Sequence, residues 1–258
     1  MNLPIVREPE VYLVGKQVVV QDEVQRFLGD NDLVWETDAE RAAEMLPEMA
    51  GRLCYMSYGA GRKTNKEYLE NILKAGHGSV LEHSVWNFLI TNVSRSFTHE
   101  LVRHRAGFGY SQLSQRYVDE SDTVFVEPDC IAEDPELHAI WVETVQKSRD
   151  AYITLTAKLA EKFGNVESAT LRRKMARQAA RSVLPNATET KIFVTANARG
   201  LRNFLELRAN EHAEVEIRKV ADKIFTILQK EAPNIFSDYA EKKLDDGTVA
   251  VETVFRKV

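Results

Sequence analysis

A chain of 258 residues, 44% of them hydrophobic, is long enough for one large domain or two small ones with a proper core. Its formal charge of −5 lacks the basic surplus of a general nucleic-acid binder, so any anion site must be local. No run of about 18 apolar residues occurs, and Met1-Asn2-Leu3-Pro4 does not begin a charged-then-apolar leader, so no membrane span or signal peptide is expected and the cytoplasm is the default compartment. In chain order, residues 11–21 combine β-branched residues with a central Gly15-Lys16, which predicts a strand or hairpin at a sheet edge. Within 39–56, Ala42, Met45, Leu46, Met49, Leu53 and Met56 recur at three and four, the period of an amphipathic helix, with a break or kink expected at Pro47. Cys54 and Cys130 are too few and too isolated for a disulfide framework or a thiolate metal site, and both read as reduced thiols, Cys54 part-buried. Thr64 and Glu67 have capping-box spacing, so a second helix is expected from there to Gly76.

Residues 85–93 read as a strand on their aromatic and β-branched content. Ser94 is placed to cap a short helix carrying Phe97, Leu101 and Val102 inward, and 118–128 is extended and acidic. A long helix is expected within 133–162, with Trp141, Val145, Ala151, Leu155 and Leu159 inward. A further helix covers 168–184 and stops at Pro185; on it Arg173, Arg177 and Arg181 lie four apart on one stripe, where pairing with acids on a solvated face is the plainer reading of the first two. Residues 191–196 read as a strand. The last major helix puts Leu201, Phe204, Leu205, Arg208 and His212 on one broad face, so a charged and a titratable side chain continue an apolar stripe. Such groups need partners, either Glu211 or Glu216 in a satisfied core pair or a ligand lying on the helix. Residues 213–232 keep an amphipathic pattern, and the tail after Asp238 reads as a polar, extended appendage.

The stretch Arg103-His104-Arg105-Ala106-Gly107-Phe108-Gly109-Tyr110-Ser111-Gln112-Leu113-Ser114-Gln115-Arg116-Tyr117 gathers more polar donors than a core can satisfy. Forked guanidinium donors suit phosphate and pyrimidine oxygens, and glycines let backbone N–H groups approach an anion. A solvated basic turn is the plainer alternative.

Arg103-His104-Arg105, eight residues, then Ser114 resembles the signature of the flavin-dependent thymidylate synthases. Gly76-His77-Gly78-Ser79-Val80-Leu81-Glu82-His83, Arg181-Ser182-Val183-Leu184-Pro185, and Asn197-Ala198-Arg199 running on to Leu207-Arg208-Ala209-Asn210-Glu211-His212 resemble the same family in the same order. The resemblance implies an α/β (α+β) fold, mainly an antiparallel sheet flanked by helices, in one domain over 1–240 followed by a C-terminal extension over 241–258. It implies methylation of dUMP to dTMP with methylenetetrahydrofolate as one-carbon donor and NADPH reducing equivalents passed through FAD, with no protein nucleophile and no metal. It further implies a homotetramer that partners small molecules only.

Residue by residue, the resemblance gives Arg208 the catalytic role of assisting ionisation of the pyrimidine, to which an always-protonated fork is suited. Glu100, Arg103, Gln112, Leu113, Ser114, Gln115, Arg116 and Arg181 join Arg208 around the nucleotide, with Ser114, Gln115, Arg116 and Arg181 as the phosphate grip. Cys54, His77, Ser79, Glu82, Arg103, His104, Arg105, Asn197, Arg199, Asn203 and His212 match the flavin set. No glycine fingerprint joins a strand to a helix, so FAD is implied by the resemblance alone. No strained Gly-x-Ser-x-Gly elbow is present either, which leaves Ser114 a phosphate ligand rather than a nucleophile. Three positions depart from the family pattern. Cys54 replaces a common serine, Glu100 replaces a frequent glutamine and is expected to turn toward an arginine, and the signature loop takes its longer form. The longer loop keeps open a related methylase acting on UMP or another uracil nucleotide. Outside this family, a metal-dependent phosphohydrolase using His77, Glu82, His83 and His104, or a silent nucleotide-binding protein, are the competing readings.

Overall fold

A computed structural model describes residues 3–59, 61 and 63–256. In chain order the elements are β1 (Ile5–Val6), β2 (Glu10–Lys16), α1 (Gln21–Asp30), α2 (Ala42–Cys54), α3 (Asn65–Ala75), β3 (Val85–Ser94), α4 (Arg95–Leu101), β4 (Phe108–Gln112), β5 (Phe125–Val126), α5 (Asp129–Ala132), α6 (Pro135–Lys162), α7 (Ala169–Ala180), β6 (Glu189–Asn197), α8 (Ala198–Arg208), α9 (Val215–Glu231), β7 (Tyr239–Lys243) and β8 (Val249–Thr253), with 3-10 turns at Gly78–His83 and Arg181–Val183. Helices combine with an antiparallel sheet, as expected. The main sheet has the strand order β2-β3-β6-β4, so β2 is an edge; β1 pairs in parallel with β5, and β7 antiparallel with β8.

Side-chain caps set several boundaries. Thr64 accepts from Glu67 N at 3.2 Å to start α3, which ends on Gly76 at φ 70°. Ser94 accepts from Phe97 N at 3.0 Å, and Asp134 caps α6 just ahead of Pro135. Pro47 does not break α2. It removes the donor that would serve the Ala43 carbonyl, and Ser84 Oγ donates to that oxygen at 2.5 Å instead.

The chain divides into two compact units. The first holds the residues through Glu10, Ile90–Leu101 and Ser111–Ile192. Here the α6 stripe matches expectation only in part: Val145 is buried as expected, but Arg149 and Tyr152 are buried with it, while Trp141, Ala151, Leu155 and Leu159 are half-buried. The polar members turn inward because the extended 119–122 segment needs partners; Arg149 Nε donates to Ser121 O at 2.7 Å and Glu120 N to Tyr152 Oη at 3.2 Å. Glu127, whose side chain is fully buried, accepts from Arg7 Nη2 at 2.7 Å and meets His138 Nδ1 at 2.5 Å, tying the β1–β5 pair to α6.

The second unit comprises Val11–Leu89, Val102–Tyr110 and the chain from Phe193 onward. Trp86, Phe88, Leu69, Leu73, Leu81, Phe204, Phe225 and Phe236 form its core. Two elements differ from the sequence reading. Residues 17–20 form no second strand and lead into α1, which buries Val24 and Leu28 with Tyr58. The tail after Asp238 is a hairpin, not an extended appendage, and it buries Tyr239, Ala250 and Val251. Its anchor is Arg202 of α8, 2% exposed, whose Nη1 and Nη2 donate to Asp238 at 2.8 Å each and to the carbonyls of Ile235 and Phe255. Tyr239 Oη donates back to Arg202 O at 3.0 Å. Removing one member of so buried a pair strands the other charge, so Asp238→Ala is expected to destabilise the fold by about 3–5 kcal/mol in chemical denaturation, well beyond a typical surface substitution.

Candidate active site

Within the second unit, a cavity of ≈680 Å³ is lined by Glu82, Arg103, His104, Arg105, Ala106, Gly107, Phe108, Asn197, Arg199, Gly200, Asn203, Leu207 and Arg208. Three segments build it: the 3-10 turn, the 103–108 loop with β4, and the junction of β6 with α8. Asn197 holds the junction. Its Oδ1 accepts from Gly200 N at 2.8 Å to cap α8, and its N–H donates to Gly107 O at 2.9 Å. The loop can lie on the helix start only because two glycines face it. Gly107 has φ +76°, and a Cβ there would sit 2.4 Å from Asn197 Oδ1; a Cβ at Gly200 would sit 2.9 Å from Ala106 O. Ala198 N donates to Ser84 O at 2.8 Å, fastening the 3-10 turn segment to the same junction.

Arg103, Arg105, Arg199 and Arg208 make the lining strongly cationic, opposed by Glu82. Glu82 pairs with Arg199 at 2.6 Å, but both side chains are nearly half exposed, so the pair is weak and readily exchanged for an anionic ligand. His104 is of another kind. Only 8% exposed, its ring lies edge-on to Phe204 at 5.2 Å and tilted to Phe108 at 5.9 Å, and Arg208 Nε donates to its Nε2 at 3.1 Å. Burial first, and the Arg208 charge second, push its pKa down to about 4. Glu211, one of the two acids considered for Arg208, pairs with Lys242 at 2.6 Å.

Cys54, His77, Ser79 and His212 lie in the same unit, exposed and outside this lining. Cys54 is therefore not part-buried. His212 does not continue the α8 stripe, because the helix ends at Arg208 and the carbonyls beyond it have other donors. Val251 N serves Ala209 O at 2.7 Å, and Arg218 Nη1 serves Glu211 O and Ala213 O.

The residues expected to grip the phosphate fall in the first unit. Gln112 Nε2 donates to Thr98 and Thr190 hydroxyls at 3.1 and 3.3 Å, and Leu113 O accepts from Arg95 Nη2 at 2.8 Å. Ser114 opens a turn in which its carbonyl accepts from Tyr117 N, while Gln115 is buried. Arg116 Nε is buried without a hydrogen-bond partner among the described residues, and its guanidinium lies 5.9 Å from the Tyr117 ring. Lys174 sits 4.9 Å from the same ring and, by hydrogen bonding, lowers the Tyr117 hydroxyl pKa. Arg181 is exposed; burial lowers the pKa of Arg95, and the Arg181 charge adds to that against Glu120 and Glu189. Arg177 pairs with Asp119 at 2.7 Å, as the plainer reading of its stripe has it, and Arg173 is exposed. Glu100 is half-buried and has a polar partner.

Among the described residues no group of three His, Cys, Asp or Glu side chains could hold a metal ion, which leaves the phosphohydrolase reading without a ligand set. The family model described as thymidylate synthase complementing protein matches residues 34–234. The chain belongs to the flavin-dependent thymidylate synthase family. It is 50% identical over 225 residues to a flavin-dependent thymidylate synthase of Mycobacterium avium (strain 104), covering 86% of this chain and 89% of that one. It is 49% identical over 242 residues to one of Mycolicibacterium gilvum, covering 93% and 95%. The fold resembles that of a UMP/dUMP methylase, PolB of Streptomyces cacaoi, bound with 5-Br dUMP, with TM-score 0.65 and 20% identity over 91% of this chain and 96% of that one.

For this member of the flavin-dependent thymidylate synthase family, the donor set fits a flavin dinucleotide. Several guanidiniums suit a pyrophosphate, Asn203 suits a polar ring edge, and the volume lies in the range of small-molecule sites. The sequence reading did not single out Arg95 or Lys174. Arg95 followed a cap and looked like an ordinary first-turn residue, and Lys174 lay off the arginine stripe.

Gly107→Ala is expected to lower stability by about 2 kcal/mol or more, from the left-handed backbone and the displaced Asn197 cap. Gly109→Ala, whose Cβ would meet only Thr195 at 3.8 Å, should stay within about 0.5 kcal/mol, and denaturation midpoints compare the two. His104 adds a pH dependence. Between its unfolded pKa of 6.5 and its folded value of about 4 the unfolded chain binds more protons. Stability should fall as pH drops through that window, by on the order of 3 kcal/mol in full, and this part of the profile should flatten in His104→Gln.

Proposed function

We propose that this enzyme methylates dUMP to dTMP, with FAD held in the cavity of the second unit, NADPH as reductant and methylenetetrahydrofolate as one-carbon donor. What carries the reading is the cavity itself: Glu82, Arg103, His104, Arg105, Asn197, Arg199, Asn203 and Arg208, far apart in sequence, line one space. Arg103, Arg105 and Arg199 would hold the dinucleotide phosphates, and Asn203 a polar edge. The bound flavin supplies hydride chemistry. Asn197 acts chiefly by holding the loop on α8, since its side-chain oxygen is engaged by Gly200 N. Cys54, His77, Ser79 and His212 keep a flavin role on family resemblance alone.

Arg208 places a permanent positive charge at the cavity wall, and such a charge lowers the energy of a uracil ring carrying enolate-like charge at its oxygens. For the nucleotide phosphate the family likeness names Ser114, Gln115, Arg116 and Arg181, with Gln112, Leu113 and Glu100 as further nucleotide residues. A mononucleotide phosphate carries about two negative charges, which two guanidiniums and backbone N–H groups neutralise without a metal. The buried, unpartnered Arg116 Nε supports an anion there. The family likeness extends the proposal to a cytoplasmic homotetramer, and no helix among the described residues is long and apolar enough to cross a membrane.

Anaerobic reduction with NADPH, followed by addition of methylenetetrahydrofolate with dUMP or with UMP, tests these parts together. Bleaching of a bound flavin and formation of dTMP are expected, and turnover of UMP alone would overturn the substrate. Arg208→Ala should lower kcat by about 100-fold or more with an unchanged denaturation midpoint. Ser114→Ala should raise KM for dUMP while largely sparing kcat.

A further inference from the structure

We propose that His104 is a positioning residue: as the neutral tautomer protonated on Nδ1, it accepts from Arg208 Nε and fixes the guanidinium plane at the cavity wall. The inference rests on the reading of Arg208 given above and replaces direct flavin contact as the main task of this histidine. An arginine has only donors, so a 3.1 Å contact between Arg208 Nε and His104 Nε2 requires a lone pair on that ring nitrogen. The ring proton must then reside on Nδ1. A protonated imidazole would both lose the acceptor and set a second positive charge against the guanidinium.

The surroundings enforce this arrangement from two directions. Phe204, which stands edge-on to the ring, lies one helical turn before Arg208 on α8, so a single helix supplies both the apolar wall and the hydrogen-bonding partner. From the loop side Phe108 closes the cage, and Tyr110 Oη donates to His104 O at 2.7 Å, pinning the backbone. The charged groups sharing this cavity are Arg103, Arg105, Arg199 and Glu82, and Glu82 is already paired with Arg199. The lining therefore offers His104 no unengaged carboxylate to stabilise an imidazolium, and the depressed pKa agrees with the geometry. A long, flexible arginine side chain is in this way given one orientation before any ligand arrives, which is where preorganisation lowers a barrier.

The test uses the full-length flavin-loaded enzyme and three variants. His104→Leu keeps the cage apolar but removes the acceptor, whereas His104→Gln can present a carbonyl oxygen near the position of Nε2. The leucine variant should lose about 30-fold or more in kcat with flavin retained and KM for dUMP little changed, and glutamine should recover most of that loss. Nitrogen NMR of ring-labelled histidine, with the His104 signal assigned by its absence in the glutamine variant, should show the Nδ1–H tautomer. In Arg208→Ala its titration should move up toward the ordinary histidine value. Equal activity of the leucine and native enzymes, a proton on Nε2, or a titration indifferent to Arg208 would each overturn the proposal. The NMR measurements need no turnover, so failure of the pair stays distinguishable from failure of the dUMP reading.

Discussion

Asn197 joins two pieces of chain that would otherwise compete for the same space. Its side chain ends the orphaned N–H run of α8, and its backbone N–H takes the carbonyl of Gly107, so one residue both starts the helix and fastens the 103–108 loop across it. The loop's approach is closer than any side chain at 107 or 200 permits. Everything the cavity presents follows from this contact. Arg103 and Arg105 come from the loop, and Arg199, Asn203 and Arg208 from the helix.

Charge is handled differently at the surface and in the interior of this unit. Arg202 and Arg218 are buried, the first bonded to Asp238 and two carbonyls, the second to Asp246, Thr248 and the carbonyls that follow α8. They stabilise the hairpin as a brace against the helix, because a buried guanidinium tolerates little displacement of its partners. The cavity arginines are more exposed. Glu82 and Arg199 form a pair that water screens, the state expected of groups that exchange a protein partner for a ligand.

Some of this was readable from residue order. Caps such as Thr64 and Ser94 act through neighbours three residues on, so local spacing suffices to place those helix starts. The aromatic and β-branched content of 85–93 is likewise local. Inward faces were less readable. On α6 the apolar period pointed to Trp141 and Leu155, yet the helix turns Arg149 and Tyr152 inward because a remote extended segment needs hydrogen-bond partners. In α2 a proline was expected to kink or break the helix, and a serine far along the chain satisfies the freed carbonyl.

Residue order by itself therefore determined the family motifs, the helix caps and the set of cationic side chains, since each depends on identities within a few positions. Only the tertiary structure decided which of them share a cavity, that His212 falls outside the helix while His104 meets Arg208, and that the polar tail is a bracing hairpin. Hydrogen bonds across long stretches of chain made those choices, and no periodicity records a partner a hundred residues away.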